Sequence, residues 1–154
     1  MSLQQFDASQ NSLVGEIPDI FDQMPALVYF SVFLNKLTGS IPQSFGHSNV
    51  TSLGLYGNAL TGSIPDTFGD SKIVLLNLFN NKLSGPIPES LFKNTNLEYL
   101  LLNNNNFTGV ISPSIGNLSA LKYMSFQQNS FYGTFPDEIC TLPALKLLRL
   151  FSNQ

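Results

Sequence analysis

The first candidates for chemistry in this 154-residue chain are its one histidine, its one cysteine and an adjacent pair of carboxylates. His47 lies in the polar run Phe45-Gly46-His47-Ser48 and is expected to face solvent. Asp137 and Glu138 are neighbours, so their side chains diverge, and they read as solvated charge rather than an acid–base pair. Cys140 stands where other segments carry Gly46, Gly69 and Gly116, and is expected to be a small, partly buried residue. A lone cysteine makes neither an internal disulfide nor a zinc site. No H-E-x-x-H, C-x-x-C or P-loop pattern occurs. These residues point to no catalytic centre, no metal and no cofactor.

The side chains left over are suited to recognition. Thirteen Phe and five Tyr accompany a charged fraction of only 11%, against about 25% in ordinary globular chains. The net charge of −3 argues against nucleic acid, whose binders carry a basic stripe. At 43% hydrophobic, the chain is not a disordered polar tail.

The elements that position these side chains follow from an internal repeat. Asn11, Asn35, Asn58, Asn81, Asn105, Asn129 and Asn153 recur at steps of 24, 23, 23, 24, 24 and 24 residues. After each of the first six comes an apolar residue two places on and a glycine four places on, from Leu13/Gly15 to Phe131/Gly133. Before each lies the frame L-x-x-L-x-L-x-x-N, for example Ile73/Leu76/Leu78 and Leu97/Leu100/Leu102. Most copies continue G-x-I-P, as at Ile41-Pro42 and Ile87-Pro88; in the fifth the proline slips to Pro113. Another apolar position follows, at Phe21, Phe45, Phe68, Leu91, Ile115 and Ile139. The period-two L-x-L step puts both leucines on one face of a short strand. No copy can bury that face alone, so successive copies stack into a solenoid. One domain over residues 1–154 is expected, with six full repeats of 23–24 residues, the start of a seventh, and no terminal caps. Seven short parallel strands should line the concave side. Short 3-10 or irregular pieces should form the convex side, near 19–23, 43–46, 66–69, 89–93, 113–117 and 137–141. The repeated Asn should form a ladder, its amide satisfying backbone groups where the chain turns out of the strand.

The unit N-x-L-[ST]-G-x-I-P resembles the plant-type leucine-rich repeat, over essentially the whole chain. That family includes ectodomains of receptor-like kinases and inhibitors of polygalacturonases. The resemblance implies a leucine-rich-repeat solenoid and a non-catalytic recognition module, part of a receptor-like kinase ectodomain in cell-surface signalling. Alternatives are a soluble inhibitor of a secreted wall-degrading enzyme, an ice-binding protein or a structural scaffold. The ice-binding reading rests on the hydroxyl column Thr38, Thr61, Ser84 and Thr108, which is also the ordinary filler of this repeat.

Positions between the leucines face outward from the concave sheet. There Tyr29, Phe33, Tyr56, Leu75, Phe79, Tyr99, Leu101 and Tyr123 should form one mostly apolar patch, the expected site for a protein or peptide ligand. Aromatic neighbours stacking on one another is the blander reading of the same residues. Sequons at Asn49, Asn106 and Asn117 would be glycan acceptors in a secreted protein, and none falls in these outward positions. No signal peptide and no apolar run near 20 residues is found, so no direct membrane insertion is expected. An extracellular or cell-surface location follows only for a longer parent protein. Open ends, with Leu3 and Leu148 unprotected, would suit a co-receptor or self-association.

Overall fold

The computed structural model describes residues 2–154. Seven three-residue strands, Gln5–Asp7, Tyr29–Ser31, Ser52–Gly54, Leu75–Asn77, Tyr99–Leu101, Tyr123–Ser125 and Leu147–Arg149, form one parallel sheet in chain order. Register follows the repeat: Ser52 lies beside Leu75, and Leu75 beside Tyr99. Every strand is therefore one turn of a solenoid. The frame residues Leu53/Leu55, Leu76/Leu78 and Leu100/Leu102 are fully buried from coil to coil. Opposite them, the recurring apolar residues Phe21, Phe45, Phe68, Leu91, Ile115 and Ile139 close the same core. Phe21 and Phe45 stack at 3.8 Å.

The convex side is made of six 3-10 segments: Phe21–Gln23, Gln43–His47, Asp66–Asp70, Glu89–Lys93, Pro113–Asn117 and Asp137–Thr141. Five begin at or just after the repeat's proline, whose fixed φ prepares the turn. The first, Phe21–Gln23, fills only the last three residues of the expected 19–23. Successive segments approach so closely that a Cβ at Gly46 would collide with Thr67, and one at Gly69 with the Ser90 carbonyl. Between sheet and convex side, short lateral strands pair: Val14–Glu16 with Lys36–Thr38, and Asn106–Gly109 with both Ser84–Gly85 and Ser130–Phe131.

The asparagines hold the coils in step. The Asn81 amide donates to the Leu78 carbonyl of its own coil and to the Leu55 carbonyl of the preceding coil, both at 3.1 Å. Its Oδ1 accepts the Leu60 N–H at 3.1 Å. Asn35, Asn58, Asn105, Asn129 and Asn153 repeat this pattern. Outside the repeat pattern, Asn94 is also buried, and its amide donates to the Ile73 carbonyl at 2.8 Å.

The residue before each ladder asparagine takes a left-handed backbone: Gln10, Leu34, Gly57, Asn80, Asn104, Gln128 and Ser152, with φ between 52° and 67°. This turn aims the next amide back under the sheet. Leucine is ill suited to that region, at a cost of roughly 1–2 kcal/mol, whereas asparagine visits it readily. Leu34 is also 48% exposed, so little burial is forfeited by replacing it. Leu34→Asn is expected to stabilise the chain by about 0.5–1 kcal/mol, raising Tm by about 2 °C in a thermal melt.

Candidate functional site

The concave sheet presents three columns of outward side chains, set by the parallel register. Two are aromatic. Phe33, Tyr56 and Phe79 form one continuous stack, with ring centroids 4.4 and 4.3 Å apart and planes within 14°. Tyr99 and Tyr123 form a second stack at 5.0 Å. Strands in register place identical positions about 4.8 Å apart, close to the spacing of stacked rings. The columns therefore stack because the repeat aligns them. Leu75 and Leu101 are half-buried in the same sheet, as are Tyr29 and the stacked rings. The patch is thus partly self-covered, and stacking and exposure coexist in the same residues.

The middle column departs from the outward reading. Ser31, Ser125 and the neighbouring Gln127 are buried although register turns them away from the core. They are short or folded down between bulkier columns, and they bond to each other and to Ser9. The Ser9 and Ser31 hydroxyls share a bond at 2.8 Å, and Ser125 donates to Gln127 Oε1 at 3.0 Å. Gly54 continues this floor between Ser31 and Asn77. Asn77 carries the exception: its Oδ1 is buried and accepts no hydrogen bond. An orphaned acceptor of this kind costs about 1–3 kcal/mol.

Electrostatics across the face are sparse. Burial pushes the Tyr56 phenol above its ordinary range, reinforced by Tyr29 and Asp7. Lys122 pairs with Glu98 at 2.7 Å beside the tyrosine stack, and that carboxylate holds the ammonium above the usual lysine range. Hydrogen bonds from Ser9 hold Asp7 below the usual carboxylate range, so the first strand ends on a firm negative charge.

The remaining sequence candidates lie off the sheet. Asn106 and Asn117 are exposed, on a lateral strand and at the end of a 3-10 segment. The Asn49 side chain is engaged, its amide donating to the Pro25 carbonyl at 2.8 Å and its Oδ1 accepting from Lys72 at 2.6 Å. Thr38 and Thr61 turn their hydroxyls back to the Gly15 and Gly39 carbonyls of the preceding coil. His47 is exposed. Cys140, expected to be partly buried, is exposed. The glycines of that column are covered by the next 3-10 segment, and Asp137–Thr141 is the last such segment in the chain. In the folded 154-residue chain the Cys140 thiol should therefore react with Ellman's reagent, giving one full equivalent without denaturant. Slow reaction that requires guanidinium would contradict the exposed position.

Among the described residues, no helix is long and apolar enough to cross a membrane, and no three His, Cys, Asp or Glu side chains group as for a metal ion. The fold is a repeat-built solenoid with an aromatic concave face. A Leucine rich repeat model matches residues 95–154, and a second Leucine Rich Repeat model matches residues 2–24, 49–71 and 72–94. Among solved structures, the plant peptide hormone receptor RGFR1 in complex with RGF2 is 36% identical, with a TM-score of 0.95 over 99% of this chain and 25% of that one. The Arabidopsis receptor kinase HAESA, in complex with the peptide hormone IDA and the co-receptor SERK1, is 34% identical, with a TM-score of 0.85 over 98% of this chain and 26% of that one. The BIR3–SERK2 complex from Arabidopsis thaliana matches at 31% identity and TM-score 0.71, over 86% of this chain and 70% of that one. No curated protein matches the chain. The chain belongs to the leucine-rich-repeat family. It is a non-catalytic recognition module that closely resembles plant receptor-kinase ectodomains, and it spans about a quarter of the length of RGFR1 and HAESA.

Proposed function

We propose that this chain forms part of a receptor-like kinase ectodomain and binds an extended peptide, or an extended segment of a protein, across its concave sheet. The observation that carries this reading is the pair of half-exposed aromatic stacks, Phe33–Tyr56–Phe79 and Tyr99–Tyr123. Stacked rings lose little entropy on binding and offer large apolar faces. From Phe33 to Tyr123 the stacks cross four strand spacings, about 19 Å, the length of about six extended residues. The orphaned Oδ1 of Asn77 lies between the stacks, where a donor on the ligand, such as a peptide N–H, would relieve it. RGFR1, a plant peptide hormone receptor in complex with RGF2, and HAESA, in complex with the peptide hormone IDA, are 36% and 34% identical, which supports the same ligand class here. The three sequons fall outside the concave sheet, so glycans at Asn49, Asn106 and Asn117 would leave the face open at the cell surface.

The test is selection of a displayed library of linear peptides on the intact chain. Enriched peptides should bind with a 1:1 stoichiometry and quench tyrosine fluorescence. Selection that yields no peptide above background, or binders indifferent to the concave aromatics, would overturn the reading.

A further inference from the structure

The concave face has a gap at its third strand. In the first outward column Gln5, Tyr29, Leu75, Tyr99, Tyr123 and Leu147 are long side chains, and only Ser52 is short. Gly54, its neighbour on the same face of the same strand, has no side chain at all. Across the register Tyr29 and Leu75 flank Ser52, and Ser31 and Asn77 flank Gly54. Tyr56 and its ring stack close a third side. Ser52 and Gly54 are both partly exposed, whereas Ser31 in the adjacent strand is 1% exposed. The face is thus open to its floor at this coil, and coils on both sides supply the walls.

The dimensions suit one planar group. Tyr29 and Leu75 stand two strand spacings apart, about 10 Å. A flat group between them lies about 5 Å from each. That is the separation at which Tyr99 and Tyr123 already stack, 5.0 Å. Of the three tyrosines in this column, Tyr29 alone has no ring beside it. The rim is rich in acceptors and negative charge. Asn77 Oδ1 accepts no hydrogen bond. Besides burial, the Tyr29 phenol and the Asp7 carboxylate raise the Tyr56 phenol, so the three groups act on one space. Asp7 is the only charged side chain at the outward positions of the first six strands of the main sheet.

We propose that the gap receives an arginine side chain of the bound peptide, its guanidinium stacked on Tyr29 over Ser52 and Gly54. This rests on the peptide reading above and narrows it to ligands with a basic residue. Guanidinium is planar, stacks on aromatic faces and brings five donors. Those donors serve Asn77 Oδ1 and the phenol oxygens, while the charge is attracted by the Tyr29 face and by Asp7. A neutral ring of the same shape leaves the acceptors unserved, and the lysine ammonium is a compact point charge that cannot fill a flat slot.

Titration of the 154-residue chain with N-acetyl-arginine methylamide, followed by amide NMR shifts, tests this. Shifts should saturate in the millimolar range at Tyr29, Ser52, Gly54 and Asn77. N-acetyl-citrulline methylamide and N-acetyl-phenylalanine methylamide should bind about tenfold more weakly, the loss of one desolvated cation–π contact. Ser52→Tyr continues the column with a ring that stacks on Tyr29, so it fills the gap without breaking the fold. Verified as folded by circular dichroism, it should abolish the shifts. Absent or diffuse shifts, equal affinity for the phenylalanine probe, or a Ser52→Tyr chain that still binds would each overturn the proposal. Library-selected peptides that bind the concave face without arginine would overturn it too, and leave the peptide reading standing. Saturating shifts with no selected peptide would keep the arginine site and overturn the peptide reading.

Discussion

Replacing Asn105 with alanine is expected to destabilise the chain by about 3–4 kcal/mol, read as a lower midpoint in guanidinium unfolding. The size follows from which groups lose every partner. The Leu83 N–H donates to Asn105 Oδ1 at 3.0 Å and to nothing else, within a fully buried leucine. Orphaning it costs about 1–3 kcal/mol. The Leu78 and Leu102 carbonyls lose the amide's bonds of 2.9 and 3.1 Å, but each keeps a second asparagine, Asn81 and Asn129. Those two losses add roughly 1 kcal/mol each at most. Asn11→Ala is the control. Its amide is exposed, it accepts from no preceding coil, and Ala8 keeps Asn35. Its cost should be about 0.5 kcal/mol, near the range of surface changes. Equal effects at the two positions would show that the ladder is not what couples the coils.

The double substitution Tyr56→Ala with Phe79→Ala should weaken binding of library-selected peptides by about 100-fold or more, since buried aromatic anchors each carry about 2 kcal/mol or more. Tyr56 is the middle ring of its stack, so the pair of changes dismantles two of the three aromatic faces at once. Some folding stability is lost too, because each stacked pair contributes about 0.5–1.5 kcal/mol beyond its burial. Circular dichroism below the melting transition keeps that loss apart from binding. Tyr132→Ala, an exposed tyrosine off the concave sheet, should leave affinity unchanged. Unchanged titration by the double variant would remove the concave stacks from the site.

Much of this architecture was legible because each coil solves the same local problem with the same residues. The strand triplet around Leu76 is readable from L-x-L alternation, and the 3-10 segment after Pro65 from the Ile-Pro step together with the family resemblance. Phe45 and Phe68 stand in one recurring apolar column, and both are fully buried. The aromatic excess could be assigned to the concave face, but its division into a three-ring and a two-ring stack could not, since it depends on rotamers across strands. Tyr29 has the residue type of its column yet stands beside Ser52, with no ring to stack on in that register.

Periodicity alone determines the coil count, the inward leucines, the asparagine column and the parallel order, because all follow from spacing within 24 residues. Tertiary structure decides whatever depends on the neighbouring coil. Cys140 is exposed because no 3-10 segment within residues 2–154 lies over it, while Gly46, in the same column, lies against Thr67. Ser31 and Ser125 are buried because longer side chains flank them. The left-handed turn before each ladder asparagine left no trace in residue type, since Gln, Leu, Gly, Asn and Ser all occupy it. There the backbone obeys the hydrogen bonds to the adjacent coil, which outweigh the preference of any one side chain.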